Sequence, residues 1–329
     1  MKQHKHLHFW LALLLICAVS VFTVASFWLN DRPDIEPEFG VTYSWLYAEQ
    51  LGLDYKDAFN AIINDVGVRT VRLPIYWSDI EQSEGQFDWE KPDWLIENAE
   101  SSGVEMTVVV GAKVPRWPEC FIPDWAEKLN DSYQQQAVLS FIEETVDRYK
   151  DSNSIVRWQV ENEPFFPFGE CPKVDAPQIK ERVDLVKGLD DRPIQMTVSG
   201  ELGSWLDSAE AADVLGISMY RQTWNDVFGH FVYPLSPEYY YFRAKLVEGH
   251  VSQVIVSELQ AEPWFNEPIE SKPITDWYET FTAEMLQQNV DFAREAGLSE
   301  VYLWGAEWWY ALHEAGEDRL WNEAQSIFQ

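Results

Sequence analysis

Positive charge is scarce in this 329-residue chain: 24 lysines and arginines stand against 55 aspartates and glutamates, a formal net charge of −31. Affinity for nucleic acid comes largely from clustered Lys and Arg, so a phosphate-backbone partner is excluded. The acidic surplus repels polyanions and admits neutral or cationic ligands, although its first effect is a solvated exterior. Cysteine is nearly absent, with three residues, and the six histidines are ungrouped: His4, His6 and His8 sit at the start, and His230, His250 and His313 are scattered. No metal-ligand spacing results. A glycine-rich phosphate loop is missing, as are low-complexity tracts and short repeats. Nothing in the sequence calls for a cofactor.

What the chain does hold is apolar and aromatic: 46% and 15% of its residues, ample to fill one large core. Residues 1–30 contain no acid, and Lys2 and Lys5 precede an apolar run, Phe9 to Leu29, interrupted only by Ser20, Thr23 and Ser26. That run is long enough to span a bilayer. Cleaved signal peptides have shorter apolar cores of about 7–15 residues, so an uncleaved transmembrane signal anchor is expected at 9–29, behind a cytoplasmic basic stub at 1–8. Cleavage near Val24 to Ser26 is the alternative and would make the protein secreted. Residues 30–37 form an acidic, proline-bearing linker, and the main domain occupies 38–329, on the extracytoplasmic side of the membrane. Cys17 follows Ile16 rather than a small residue, which argues against lipidation. Cys120 and Cys171 remain, in a compartment where oxidation is permitted: a disulfide or two free thiols.

From Glu38 onward, β-rich runs alternate with helical patterns. Strands are predicted at 39–44, 70–76, 105–111, 154–160, 193–199, 213–220, 252–258 and 300–305. Helices are predicted near 54–66, 92–102, 131–150, 175–190, 204–211, 236–249, 274–296 and 318–328. Strands apolar on both faces indicate a parallel sheet covered on both sides, and eight strand–helix units imply closure into a (β/α)8 TIM barrel.

In such a barrel, reactive groups sit at the carboxyl ends of strands. The fourth strand ends in Trp158-Gln159-Val160-Glu161-Asn162-Glu163-Pro164, where Pro164 marks the end of pairing and leaves Asn162 and Glu163 at the rim. The seventh runs Val254 to Ser257 and ends on Glu258. Retaining cleavage of a glycosidic bond needs one protonated carboxyl to assist the leaving oxygen and one carboxylate to attack the anomeric carbon. Burial and the charge of Glu258 would keep Glu163 protonated; Glu258 needs a cation, and Arg72, late in strand two, is the best placed.

The Trp-x-x-x-Asn-Glu-Pro stretch at 158–164, with Glu258 on a later strand, resembles clan A of the glycoside hydrolases, from about Phe39 to Trp308. Arg72 on strand two, Tyr220 ending strand six and Trp304 ending strand eight follow in the order that clan uses. The resemblance implies double displacement of a β-linked oligo- or polysaccharide, with Glu163 as acid/base and Glu258 as nucleophile. It further implies that Asn162 bonds the sugar 2-hydroxyl, Tyr220 contacts the nucleophile and Trp304 floors the site. Within the clan the chain is most similar to the cellulase-like family five, but departs from it at Ser218, Gly111 and Glu161, where histidines are frequent. Families ten and thirty-nine carry related Asn-Glu signatures.

Each signal has a plainer reading. A strand-end Glu can merely pair with Arg or cap a helix, and it is the shared barrel order that favours catalysis. Glu161 should project to the same side as Glu163, one layer deeper, as a supporting partner. Glu262 and Glu307 either touch sugar hydroxyls or face solvent. Trp45, Trp77, Trp117, Trp224, Trp264, Trp304, Trp308 and Trp309 follow or end strands; half are expected to be sugar platforms and half packing, with Trp264 and Trp304 preferred as platforms. Two rivals from other classes are a noncatalytic, membrane-tethered carbohydrate-binding barrel and a lyase forming a Schiff base at Lys113. A transglycosylase of the same clan is the nearest alternative.

Overall fold

The computed structural model describes residues 32–33, 35–225, 227 and 229–329. The apolar run at 9–29, and the anchor expected there, lie outside the described residues. Among the described residues no helix is long and apolar enough to cross a membrane. Within the expected linker, Arg32 is pinned to the outer helices: it pairs with Glu238 at 2.8 Å and donates to the carbonyl of Glu295 at 2.6 Å.

Eight parallel strands close into a barrel: Glu38–Thr42, Thr70–Pro74, Glu105–Val110, Ile155–Val160, Ile194–Val198, Val214–Met219, Gln253–Gln260 and Glu300–Trp304. The eighth returns to the first, with Thr42 opposite Trp304. Helices cover the outside, as the alternation predicts. Their starts follow from local chemistry: Asn130 accepts the Tyr133 N–H ahead of Asp131–Tyr149, and Asp175 and Gln178 form a capping box ahead of Ala176–Leu189.

Some elements differ from the sequence reading, and the tryptophans sort into those that pack and those that do not. The span 274–296 splits into a 3-10 segment, Ile274–Thr280, and an α-helix, Ala283–Ala296, because the Thr282 side chain accepts the Met285 N–H and starts a new helix. A hairpin, Gln222–Asn225 with Gly229–Val232, follows strand six. Trp45, Trp77, Trp308 and Trp309 are sealed in the layer between barrel and helices, so they pack rather than bind. Their indole N–H groups explain how three of them tolerate burial: Trp45 donates to Asp79, Trp77 to Glu81 and Trp309 to the Ala261 carbonyl.

The barrel interior is polar and layered. At the amino ends of the strands, Arg157 bonds both oxygens of Glu300 at 3.0 Å, Tyr302 donates to Glu300 at 2.7 Å, and Gln195 accepts from Arg157 at 3.0 Å. Above them lie Arg72, Gln159 and Thr197, and above these the strand-end carboxyls.

Candidate active site

Arg72 is fully buried and organises the upper layer. Its guanidinium donates from Nε to Gln159 at 2.7 Å, from Nη1 to Glu258 Oε1 at 2.8 Å and from Nη2 to Asn162 Oδ1 at 2.7 Å. One rigid fork thus ties strands two, four and seven together. Tyr220, just past strand six, donates its hydroxyl to the other oxygen of Glu258 at 3.3 Å.

Glu258 reaches this position through a β-bulge. Ile255 faces the barrel interior with Val214 and Tyr302, so strict alternation would turn Ser257 inward and Glu258 out toward the helices. Val256 pairs with Ile217, yet Glu258 pairs with the next residue, Ser218; against strand eight the register also slips by one. The extra residue re-aims Glu258 into the mouth. The strand continues to Gln260, so the sequence reading ended it two residues early.

Glu163 leaves strand four in a left-handed conformation, φ 43°, with its N–H donated to Thr197 at 2.8 Å. Its carboxyl is buried, and no cation among the described residues bonds it. Burial first, then the charges of Glu258 and Glu119, push its pKa well above the usual carboxylate range, opposed by Lys113 and the Ser218 hydroxyl. The two carboxyls therefore differ in kind: Glu258 has Arg72 and Tyr220 to hold its charge, and Glu163 is set up to keep a proton.

Several expected residues lie elsewhere. Glu161 does not project beneath Glu163. Its φ of 60° turns it out of alternation, and its carboxylate accepts from Arg182 at 2.6 Å and from the N–H groups of Ala112 and Lys113 at 3.0 and 2.6 Å. Gly111 is required there, since a Cβ would meet Glu161 Oε1 at 2.2 Å. Glu262 and Glu307 do not face solvent: both pair with Arg116, and burial pushes Glu307 up to about 7. The Lys113 amine is held by the carbonyls of Glu163 and Phe166 at 3.1 and 2.9 Å, so it supports the loop after strand four. Trp304 lines the mouth with the Arg116 guanidinium 4.1 Å from its ring centre, and the same guanidinium lies 3.7 Å from the ring centre of Tyr47. Trp264 packs edge-on against Tyr220 at 5.5 Å and next to Phe168, and Trp117, 64% exposed, meets Phe168 at 6.0 Å. These rings form an aromatic wall beside the carboxyls.

Cys120 and Cys171 are joined in a disulfide, Cα atoms 5.3 Å apart, which fastens the loop after strand three to the loop after strand four. Those two loops hold all the non-glycine residues with positive φ among the described residues: Arg116, Glu119, Glu161 and Glu163. Such conformations cost about 1–3 kcal/mol each and gather where a site over-determines the backbone. Glu119 was not foreseen from the sequence. Asn162 donates from Nδ2 to its Oε2 at 3.0 Å, and burial, then the charge of Glu258, push it up to about 8. Among the described residues no cluster of His, Cys, Asp and Glu could hold a metal.

The model of glycosyl hydrolase family 10 matches residues 47–176, which takes in strands two to four and Asn162–Glu163 but stops short of Glu258. The β-galactosidase BgaA of Clostridium cellulovorans is 21% identical over 278 residues, covering 74% of this chain and 39% of that protein. The chain thus spans well under half the length of this curated relative. The β-galactosidase of the psychrophilic Marinomonas ef1 superposes with TM-score 0.58 at 15% identity, over 89% of this chain and 59% of that one. GH5_18 from Streptomyces cattleya, in complex with GlcNAc, gives 0.56 at 14% identity, over 82% and 70%. The exo-β-1,4-mannosidase Op5Man5 from Opitutaceae bacterium strain TAV5 gives 0.54 at 14%, over 82% and 51%. Fold, site and likenesses agree with clan A of the glycoside hydrolases. The solved structures share this chain's fold, a closed eight-stranded TIM barrel.

Proposed function

We propose that this chain is a retaining glycosidase acting on a β-linked glycan. The observation that carries the reading is the asymmetry of the two carboxyls: Glu258 is bonded by Arg72 and Tyr220, and Glu163 is buried with no cation on it. An ionised Glu258 oxygen attacks the anomeric carbon while the Glu163 proton passes to the departing glycosidic oxygen. The aglycone leaves with that proton, and the sugar remains as an ester on Glu258. Water then enters, Glu163 takes one of its protons, the oxygen displaces Glu258, and the β configuration is restored. Each step uses only these side chains and water.

The named activities of the relatives make aryl β-galactosides and β-mannosides the first substrates to test. Proton NMR of the earliest product decides the stereochemistry: the β anomer must appear first, and an initial α anomer contradicts double displacement. We further propose that the domain works outside the cytoplasm, anchored by the apolar run at 9–29; the Cys120–Cys171 disulfide supports an oxidising compartment.

A further inference from the structure

We propose that Glu119 is a substrate-binding residue whose Oε1 hydrogen-bonds a hydroxyl of the sugar unit held between Glu163 and Glu258, and so selects which sugar the site accepts. This rests on the glycosidase reading and extends it to the loop after strand three.

The buried carboxyls of the molecule differ in how fully they are bonded. Glu161 has Arg182 and two backbone N–H groups, Glu300 has Arg157 and Tyr302, and Glu262 and Glu307 share Arg116, which leaves Glu262 Oε2 unbonded but sealed from any ligand. Glu201 takes the N–H of Tyr220 and the hydroxyl of Tyr240. Glu258 has Arg72 and Tyr220. Glu119 has Asn162 alone, on Oε2; its Oε1 accepts nothing from any described residue and is not among the fully sealed polar atoms. A buried carboxyl with an idle oxygen is unfavourable in an empty protein. The idle oxygen makes sense as a contact for a ligand.

Its placement fits that role. Glu119 is close enough to both Glu258 and Glu163 to raise the pKa of the latter, and Asn162 links it to Arg72, the residue that holds Glu258. The loop fixes it firmly: its N–H donates to the Arg116 carbonyl at 2.7 Å, its carbonyl accepts from Val114 at 2.8 Å, and the next residue is the disulfide Cys120. Gly169, on the partner loop, lies so near that a Cβ there would meet the Glu119 Cβ at 2.5 Å. A left-handed φ of 76° at a glutamate is a cost accepted for position. With its pKa near 8, the group is an acid at neutral pH, able to donate to a sugar oxygen without adding a second negative charge beside Glu258.

The test is a series of aryl glycosides, each lacking one hydroxyl of the sugar, assayed with wild type, Glu119→Ala, Glu119→Gln and Glu119→Asp. Wild type should lose on the order of 10–100-fold in kcat/KM when the contacted hydroxyl is removed. Glu119→Ala should abolish the penalty at that position only, and Glu119→Gln, which keeps the length and a donor, should restore it. If the alanine variant does not fold, the other pair decides: Asp, one methylene shorter, should lose the discrimination that Gln keeps. Unchanged discrimination at every position in Ala, or equal behaviour of Asp and Gln, overturns the assignment and leaves the glycosidase reading intact. Wild type that turns over no parent glycoside overturns both.

Discussion

The two ends of the barrel treat buried charge in opposite ways. At the amino ends of the strands, Arg157, Glu300, Tyr302 and Gln195 form a closed set in which each group bonds another and none has a positive φ. At the carboxyl ends, Glu163 and Glu119 are left short of partners, Arg116 Nε has none among the described residues, and the backbone is held left-handed at four side-chain-bearing residues. A saturated network stabilises and specifies the fold; an unsaturated one awaits a ligand. The same residue types serve both ends, so composition alone does not separate structure from function.

Perturbing each end should expose that difference. The largest effect is expected at Glu163→Ala, which should lower kcat/KM by about 10²–10⁴-fold on a glycoside with a poor leaving group and far less on an activated phenol. Kinetics across a leaving-group series measures it, and an equal loss throughout would contradict the proton-donor role. In the wild type, kcat should fall as pH rises and Glu163 gives up its proton, at a pH above the ordinary carboxylate range, and Glu163→Gln should lack that limb.

At the other end, Arg157→Met should cost about 3–5 kcal/mol of stability by stranding Glu300. Adding Glu300→Gln should recover most of it, and kcat/KM should stay at the wild-type value in the stable double variant. Denaturant melts with parallel assays check this; loss of activity in the folded double variant would erase the proposed division of labour.

The smallest effect concerns Glu119 and stability. Its folded pKa, about 8, lies above the reference value of 4.5, so its contribution to stability is fully present below 4.5 and is lost as pH rises through 8. Glu119→Gln, which cannot ionise, should therefore gain in Tm relative to wild type as pH goes from 5 to 9. A constant difference would mean that Glu119 does not titrate in that window.

The barrel was legible because its signal is periodic: eight apolar runs, each followed by a helical pattern, leave few other topologies. Glu163 was legible from Asn162 and Pro164 at a strand end, and Arg72 from its place late in strand two. Glu258 was assigned to the right strand, although the bulge that turns it inward leaves no mark in the residue types. The orientation of Glu161 was misread for the same reason, since alternation fails once φ becomes positive. Glu119 and Arg116 lie in a loop with no period at all. One signal could have found Glu119: it adjoins Cys120, whose pairing with Cys171 brings that loop against the loop carrying Asn162 and Glu163. Of the eight strand-end tryptophans, Trp45, Trp77, Trp308 and Trp309 pack, in line with the expected half, although residue type alone did not say which four, because indoles with a hydrogen-bond partner bury as readily as they bind.

The most direct test of the paired-glutamate account is covalent trapping. A 2-deoxy-2-fluoro aryl glycoside of an accepted sugar slows breakdown of the intermediate, and peptide mass spectrometry then finds where the sugar is attached. The account predicts one sugar, on Glu258, and none in Glu258→Gln. Attachment at Glu119, Glu163 or any other residue would contradict it.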